Sequence, residues 1–451
     1  MNTNDTRSLR TTVLKQIKPT EDERVLLSSV ADELMKMVNS IALRQSIPDV
    51  SAQLVGSAAR GTWISGTHDL DIFITFPEKT SREELEEHGL SIAREIARDA
   101  DRSEERYAEH PYINMRYRDF DVDLVPCFRV QSPDSIKSAV DRTPFHNEFI
   151  KQNISGLEDD VLLLKQFMRG GGVYGSELRT QGFSGYLTEL MVIHFGSFEK
   201  VLDGACDWKP GFVIDIMGHG SLKHKDPLVV VDPTDPKRNV AAALSLDNFS
   251  RFIDVSRSFF EKPTNGMFFP LPGLELTDPE FTERLNSRKS AILAVVFKTP
   301  DVVDDVLYPQ LYKMEQATAA LLEDYAFTVM KTGSWAGDDA VVLLELMTST
   351  LPDIKKHIGP PVWVRTHAGM FKSKYEKAGD VFSMYIENGR YVVEIPRKYA
   401  DAKELLGERL GMCSLGKHIS ASMSNEFEVL EGEGVLRLKE SGFRVFLGEW
   451  V

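Results

Sequence analysis

The sequence predicts an α+β protein of several domains. Three observations carry that expectation. Segments alternating acidic and apolar residues crowd the first third, amphipathic helical stripes dominate after residue 155, and the last third mixes helices with hairpin-linked strands. A chain of 451 residues also exceeds one typical core, which points to about two to four domains.

Residues 21–46 read as a long amphipathic helix, because Val25, Leu26, Val30, Leu34, Met37, Val38 and Ile41 recur at helical spacing. A strand at 52–55 runs into Gly56-Ser57, where the glycine permits a tight turn or a close backbone approach. From 69 to 76, Leu70, Ile72, Ile74 and Phe76 share one strand face while Asp69 and Asp71 share the other. A charged helical stretch over 83–106 precedes extended segments at 112–117 and 121–128. Then Leu157, Val161, Leu164, Phe167 and Met168 form a helical stripe that ends in Gly170-Gly171-Gly172, and 183–195 forms another. The loop in LVVVDPTDPKRNVAAALS leads to a helix over 246–260, and the Pro- and Gly-rich segment 263–273 marks a boundary. Beyond it, helices are expected at 308–327 and 400–410, and strands at 381–386, 390–395 and 434–440. The turn Glu387-Asn388-Gly389-Arg390 is a strong hairpin signal.

Formal charge is −15, from 68 acids against 53 Lys plus Arg, which argues against nucleic acid coating every face. A local basic track is still allowed: 353–377 holds six Lys or Arg and two acids, whereas 78–109 holds eleven acids and six bases. Apolar runs are too short to span a bilayer and MNTNDTRSLR lacks a signal-peptide core, so no membrane partner is expected. Cys127, Cys206 and Cys413 form neither a zinc pattern nor a disulfide scaffold, which favours a reducing, cytoplasmic setting.

The chemistry concentrates in two acidic stretches. Asp69 and Asp71 point the same way along one strand, and Asp123 on a neighbouring strand can supply a third carboxylate for Mg²⁺. Asp121 shares a face with Asp123 and reads as a rim acid. Gly56 and Ser57 can cradle phosphate, though no Gly-Lys-Ser/Thr follows to make a Walker A loop. Arg60 either salt-bridges locally or faces substrate. Lys165, ahead of the glycine run with Tyr174 beyond it, reads from chemistry alone as a solvated helix lysine. His110 and His146 read as surface or packing histidines, and Arg238 either binds an anion or pairs with Asp235.

The segments GSAARGTWISGTHDLDIF, DVDLVPCF, DRTPFH, LLLKQFMRGGGVYGSE and DPTDPKRNVAAALS closely resemble the archaeal, class I CCA-adding enzymes, tRNA nucleotidyltransferases of the polymerase-beta superfamily. Gly-Ser with Asp-x-Asp alone marks only the superfamily; the last two segments are much narrower. The resemblance implies a polymerase-beta-like nucleotidyltransferase head at 1–150, a helical central neck at 151–265, and an α/β body with a tail at 266–451. It implies stepwise, template-independent addition of C, C and A to the tRNA 3′ end from CTP and ATP, using two Mg²⁺ ions. Asp69, Asp71 and Asp123 would be the catalytic metal carboxylates, some relatives carrying Glu in place of Asp69. Gly56, Ser57 and Arg60 would face the nucleotide, and His110, Thr143, His146, Lys165 and Tyr174 would line ribose and phosphates. Arg238 would help select CTP and ATP. The body and tail would cradle the acceptor stem and TΨC arm, giving the basic stretch 355–377 a role. A homodimer is left open. The alternatives are a poly(A) polymerase-like enzyme or a catalytically silent RNA-binding protein on the same fold.

Overall fold

The computed structural model describes residues 3–107, 109–220 and 225–451. They form two compact units, Met1–Leu271 and Pro272–Val451. The break falls inside the Pro- and Gly-rich segment, while residues on either side of position 150 belong to one unit.

The first unit opens with helices α1 (Thr3–Ile17) and α2 (Glu21–Arg44), the second entered through a Thr20–Glu23 capping box. Strand β1 (Ser51–Val55) passes directly into the short helix α3 (Gly56–Arg60), so the expected Gly-Ser turn is in fact a helix start. Next come β2 (Asp69–Pro77), α4 (Arg82–Ile96), β3 (Arg102–Tyr107), β4 (Pro111–Tyr117) and β5 (Phe120–Arg129). The five strands form one sheet in the order β1-β2-β5-β4-β3, with only β2 and β5 parallel. Helices α2 and α4 cover one face, burying Leu70, Ile72, Ile74 and Phe76 with Val122 and Leu124. The opposite face keeps the acids. The helix expected over 83–106 stops at Ile96, and Arg102–Tyr107 forms the edge strand instead. Every residue of that strand is exposed, so it has no apolar alternation to betray it.

The unit continues through α5 (Thr143–Asn153), α6 (Glu158–Gly170), α7 (Gly185–Phe195), α8 (Phe198–Ala205), the short parallel strands β6 (Phe212–Ile214) and β7 (Leu228–Val230), and α9 (Leu246–Glu261). Their core is aromatic: Phe167, Phe198, Phe259 and Phe268 meet at ring-centroid distances of 5.4–6.2 Å.

The second unit contains α10 (Asp278–Arg288), β8 (Ala291–Lys298), α11 (Asp304–Asp324), β9 (Val329–Ala336), β10 (Asp339–Leu346), β11 (Ile354–Pro361), α12 (Arg365–Glu376), β12 (Ser383–Glu387), β13 (Arg390–Pro396), α13 (Ala402–Arg409), α14 (Lys417–Met423), β14 (Phe427–Glu431) and α15 (Ser441–Trp450). Two antiparallel sheets result, β14-β8-β10-β9 and β11-β13-β12. Asn388 and Gly389 both take positive φ, 49° and 73°, between β12 and β13, as a type I′ hairpin requires. The strand expected at 434–440 is displaced. Phe427–Glu431 pairs with β8, and Gly432–Arg437 is a 3₁₀ turn that drops Val435 into the core.

A candidate nucleotidyl-transfer site

Strand register assembles the acidic face. On the parallel pair, Asp69 lies level with Asp121 and Asp71 with Asp123. Ser57, Asp69, Asp71, Asn114, Asp121 and Asp123 line a cavity of about 500 Å³, with Arg102 and Arg106 on its wall. Asn114, opposite Asp123 on β4, donates Nδ2–H to Asp123 Oδ1 at 2.7 Å. Asp121 is already partnered, accepting from Arg116 Nη1 at 2.8 Å with Arg102 Nη2 3.8 Å away.

The remaining acids repel. Burial and the neighbouring Asp123 push the Asp71 carboxyl up to about 6, even with Arg60 opposing the shift. Burial and Asp121 raise Asp69, and burial raises Asp123 against the Asn114 hydrogen bond. A divalent cation relieves such crowding. Among the described residues no three His, Cys, Asp or Glu close into a ready metal cage. The face is open and built of hard oxygens, which fits an ion that completes its shell with water and phosphate.

Gly56 explains how Asp71 reaches this depth. Its φ is 74°, and a Cβ there would come within 2.0 Å of Asp71 Oδ2, so the carboxylate lies against bare backbone. Ser57 follows at the mouth of the same cavity.

A second group of side chains comes from the helical part. Lys165 on α6 is buried, against the sequence reading of a solvated helix lysine, and donates Nζ–H to the Thr62 carbonyl at 2.8 Å. Burial, with Arg60 and Arg169 nearby, lowers its pKa to about 8 against the pull of Glu189. Tyr174 is raised to about 12 by burial, and the Arg169 guanidinium sits 5.2 Å from its ring centroid. A Cβ on Gly185 would lie 3.2 Å from Tyr174 Oη and 3.6 Å from Lys165 Nζ, so the two side chains meet over that glycine.

Arg60 takes the local option. Its Nε donates to Glu189 Oε1 at 3.0 Å and its Nη1 to Asn147 Oδ1 at 3.2 Å, and its side chain is only 7 % exposed. As placed, its fork is spent on protein.

A third group gathers on Asp232. His146 Nε2 lies 2.9 Å from Asp232 Oδ2, Arg238 Nη1 donates to the same oxygen at 2.8 Å, and Thr234 donates twice to Oδ1. The His146 ring stacks on Tyr186 at 4.1 Å, and Thr143 sits three residues earlier on the same helix face. Burial works to raise the Asp232 carboxyl, but His146, Thr234 and Arg238 hold it far below the usual range. Arg238 therefore pairs with Asp232 rather than Asp235, whose partner is Arg142. Arg238 remains 38 % exposed, leaving part of its guanidinium free to contact a ligand.

His110 departs from expectation. It is buried just before β4, 3.2 Å from Glu86 Oε1 and edge-on to Phe128 at 6.0 Å. Phe128 lies five residues beyond Asp123 on β5, about 16 Å along a strand. His110 thus braces α4 at the far end of the sheet, away from the acids.

The sequence reading missed Asn114, Arg169, Tyr186, Glu189 and Asp232. Asn114 was legible as a polar residue alternating with Ile113 and Met115, on the strand face opposite to theirs, and Asp232 stands inside the quoted DPTDPKRN segment. The others depend on which helix faces which, a tertiary fact with no local signal.

Three family models match the chain: a nucleotidyltransferase domain over 34–146, the second domain of tRNA nucleotidyltransferase over 159–269, and the C-terminal domain of CCA-adding enzyme over 288–432. The CCA-adding enzyme of Methanosarcina acetivorans is 62% identical over 98% of this chain and 98% of its own. The chain belongs to the CCA-adding enzymes. The CCA-adding enzyme of Methanosarcina mazei is 61% identical over 100% of this chain and 99% of its own, so the likeness runs through both units. The nucleotidyltransferase match spans Asp69, Asp71 and Asp123 of the acidic cavity.

Proposed function

We propose that the protein adds C, C and A in turn to the 3′ end of tRNA, taking nucleotides from CTP and ATP and using no nucleic-acid template. The acceptor 3′-hydroxyl oxygen attacks the α-phosphorus, the bond to the bridging oxygen of the β-phosphate breaks, pyrophosphate leaves, and the hydroxyl proton passes to solvent. The observation that carries this reading is the level pairing of Asp71 with Asp123, beside Asp69 and over Gly56.

Asp69, Asp71 and Asp123 would hold two Mg²⁺ ions, whose chemistry is to lower the hydroxyl pKa and offset charge on the departing pyrophosphate. Ser57, Lys165 and Tyr174 face the triphosphate, with the buried Lys165 ammonium supplying fixed positive charge in a site shielded from water. Thr143 and His146 line the ribose side. Arg238, held at one end by Asp232, reads the base edge with the other.

Arg238→Ala is expected to change nucleotide choice more than rate. Preference for CTP and ATP over GTP and UTP falls about tenfold or more, the scale of a lost side-chain contact to a base. Measured incorporation of all four nucleotides checks this, and an unchanged preference removes Arg238 from the role.

The exposed basic residues Lys355, Arg365, Lys374 and Lys377 would follow tRNA phosphates, since reading an A-form helix needs local cations only. Lys356 is paired with Glu387 and Lys372 with Glu376. Free Cys127, Cys206 and Cys413 suit the cytoplasm, and no described helix is long and apolar enough to cross a membrane.

The deciding experiment supplies Mg²⁺, CTP and ATP with tRNAs lacking CCA, CA or A. The expected result is stepwise completion that stops after CCA. Extension of generic RNA with ATP alone indicates a poly(A) polymerase-like enzyme, and binding without incorporation indicates a silent one.

A further inference from the structure

Glu189 is fully buried on α7, and the groups around it come from both parts of the first unit. Arg60, at the end of α3, sets Nε 3.0 Å from Oε1 and Nη2 2.9 Å from Oε2. The Thr62 hydroxyl also donates to Oε1. The Nη2 contact lies off the line of a hydrogen bond, so Oε2 has no hydrogen-bond donor among the described residues. The Thr62 carbonyl in turn accepts from Lys165 Nζ, which makes Thr62 a link between carboxylate and ammonium. Burying a carboxylate beside an arginine and a lysine is costly, and leaving either cation without it costs more.

We propose that Glu189 is a positioning residue for triphosphate binding, a buried counter-ion that fixes Arg60 and Thr62 and supplies the negative charge beside Lys165. The proposal rests on the reading of Lys165 as a phosphate-facing cation. Glu189 itself touches no substrate. It ties the Arg60 fork to α7, and it keeps the lysine charged in a place where burial favours the neutral amine.

The groups facing Lys165 set the sign. Arg60 on α3 and Arg169 on its own helix both disfavour the ammonium, whereas Glu189 on α7 favours it; Tyr174 and the Thr62 carbonyl complete the surroundings. With Glu189 present, Lys165 titrates at about 8. Without that charge the ammonium is lost at lower pH.

The test is CTP binding to the full-length protein by calorimetry, without tRNA, across pH 6–9, on the parent, Glu189→Gln and Glu189→Asp. Glu189→Gln is expected to weaken CTP binding about tenfold at pH 7.5, and to move the alkaline loss of binding down by about one pH unit. Glu189→Asp keeps the charge and should restore the position of that alkaline limb while recovering only part of the affinity, because its shorter reach misplaces Arg60. An alkaline limb that is the same in all three proteins overturns the proposal. If Glu189→Gln does not fold, Glu189→Asp decides: weaker CTP binding at pH 7.5 with the parent's alkaline limb supports the proposal, and affinity equal to the parent's, or a limb moved to lower pH, refutes it. Calorimetry is independent of CCA addition. A parent that binds CTP and adds nothing to tRNA refutes the assigned reaction, and leaves the Glu189 comparison readable.

Discussion

Asp71→Asn is expected to lose addition of both C and A while the folded protein gains stability. Removing a carboxylate that holds catalytic metal forfeits several kcal/mol of transition-state stabilisation, a rate loss on the order of a thousandfold or more. Stability moves the other way. A carboxyl raised from 3.8 to about 6 by burial and Asp123 favours the folded state only while protonated. That contribution is complete below pH ~4 and gone above pH ~6, where the charge opposes folding by up to about 2–3 kcal/mol. At neutral pH in chelator, Asn at this position should therefore melt above the parent, whereas magnesium should raise the parent far more than the variant. Single-turnover incorporation, melting with and without Mg²⁺, and a tRNA-binding titration check the three parts. Retained incorporation, or tRNA binding lost in step with activity, overturns the assignment of Asp71.

The second large effect is expected at Gly56, with Gly61 as its matched control. Both glycines take positive φ, 74° and 68°, at the two ends of α3. An alanine at either position pays the left-handed backbone penalty, about 1–2 kcal/mol. They differ in what the new methyl meets. At Gly56 it would sit 2.0 Å from Asp71 Oδ2; at Gly61 the nearest atom, Arg24 Nη1, is 3.9 Å away. Gly56→Ala must push the carboxylate aside, and a misplacement of about 1 Å costs roughly a hundredfold in rate. Gly61→Ala should lose comparable stability and keep its rate. Equal rates for the two variants, at equal folded fractions, would show that Asp71 does not depend on the bare backbone beneath it.

Legibility in the sequence followed the reach of each signal. The paired rows Asp69/Asp71 and Asp121/Asp123 were visible because strand alternation separates acid from apolar face within a few residues. Helix α2 and the hairpin at Asn388-Gly389 were visible for similarly local reasons. Segments with no one-sided burial misled. The exposed edge strand Arg102–Tyr107 reads as more charged helix, and in the run from Phe427 to Arg437 only the first alternating stretch finds a strand to pair with. The site shows the same limit. The burial of Lys165, the choice of Asp232 over Asp235 by Arg238, and the remoteness of His110 all depend on which surfaces meet after folding. Helix chemistry alone favoured a solvated Lys165, which is instead buried against the Thr62 carbonyl, and His110 packs against Glu86 and Phe128.

The fork of Arg60 has a consequence for exchanging parts between enzymes. Its partners, Asn147 and Glu189, both lie beyond 34–146, the span that matches the nucleotidyltransferase domain model. Cut out at those limits, that segment would carry an arginine whose burial was arranged by residues left behind. Transplanting the catalytic sheet into another scaffold therefore demands that α5 and α7 travel with it, so the smallest transferable piece is larger than the sheet that bears the aspartates.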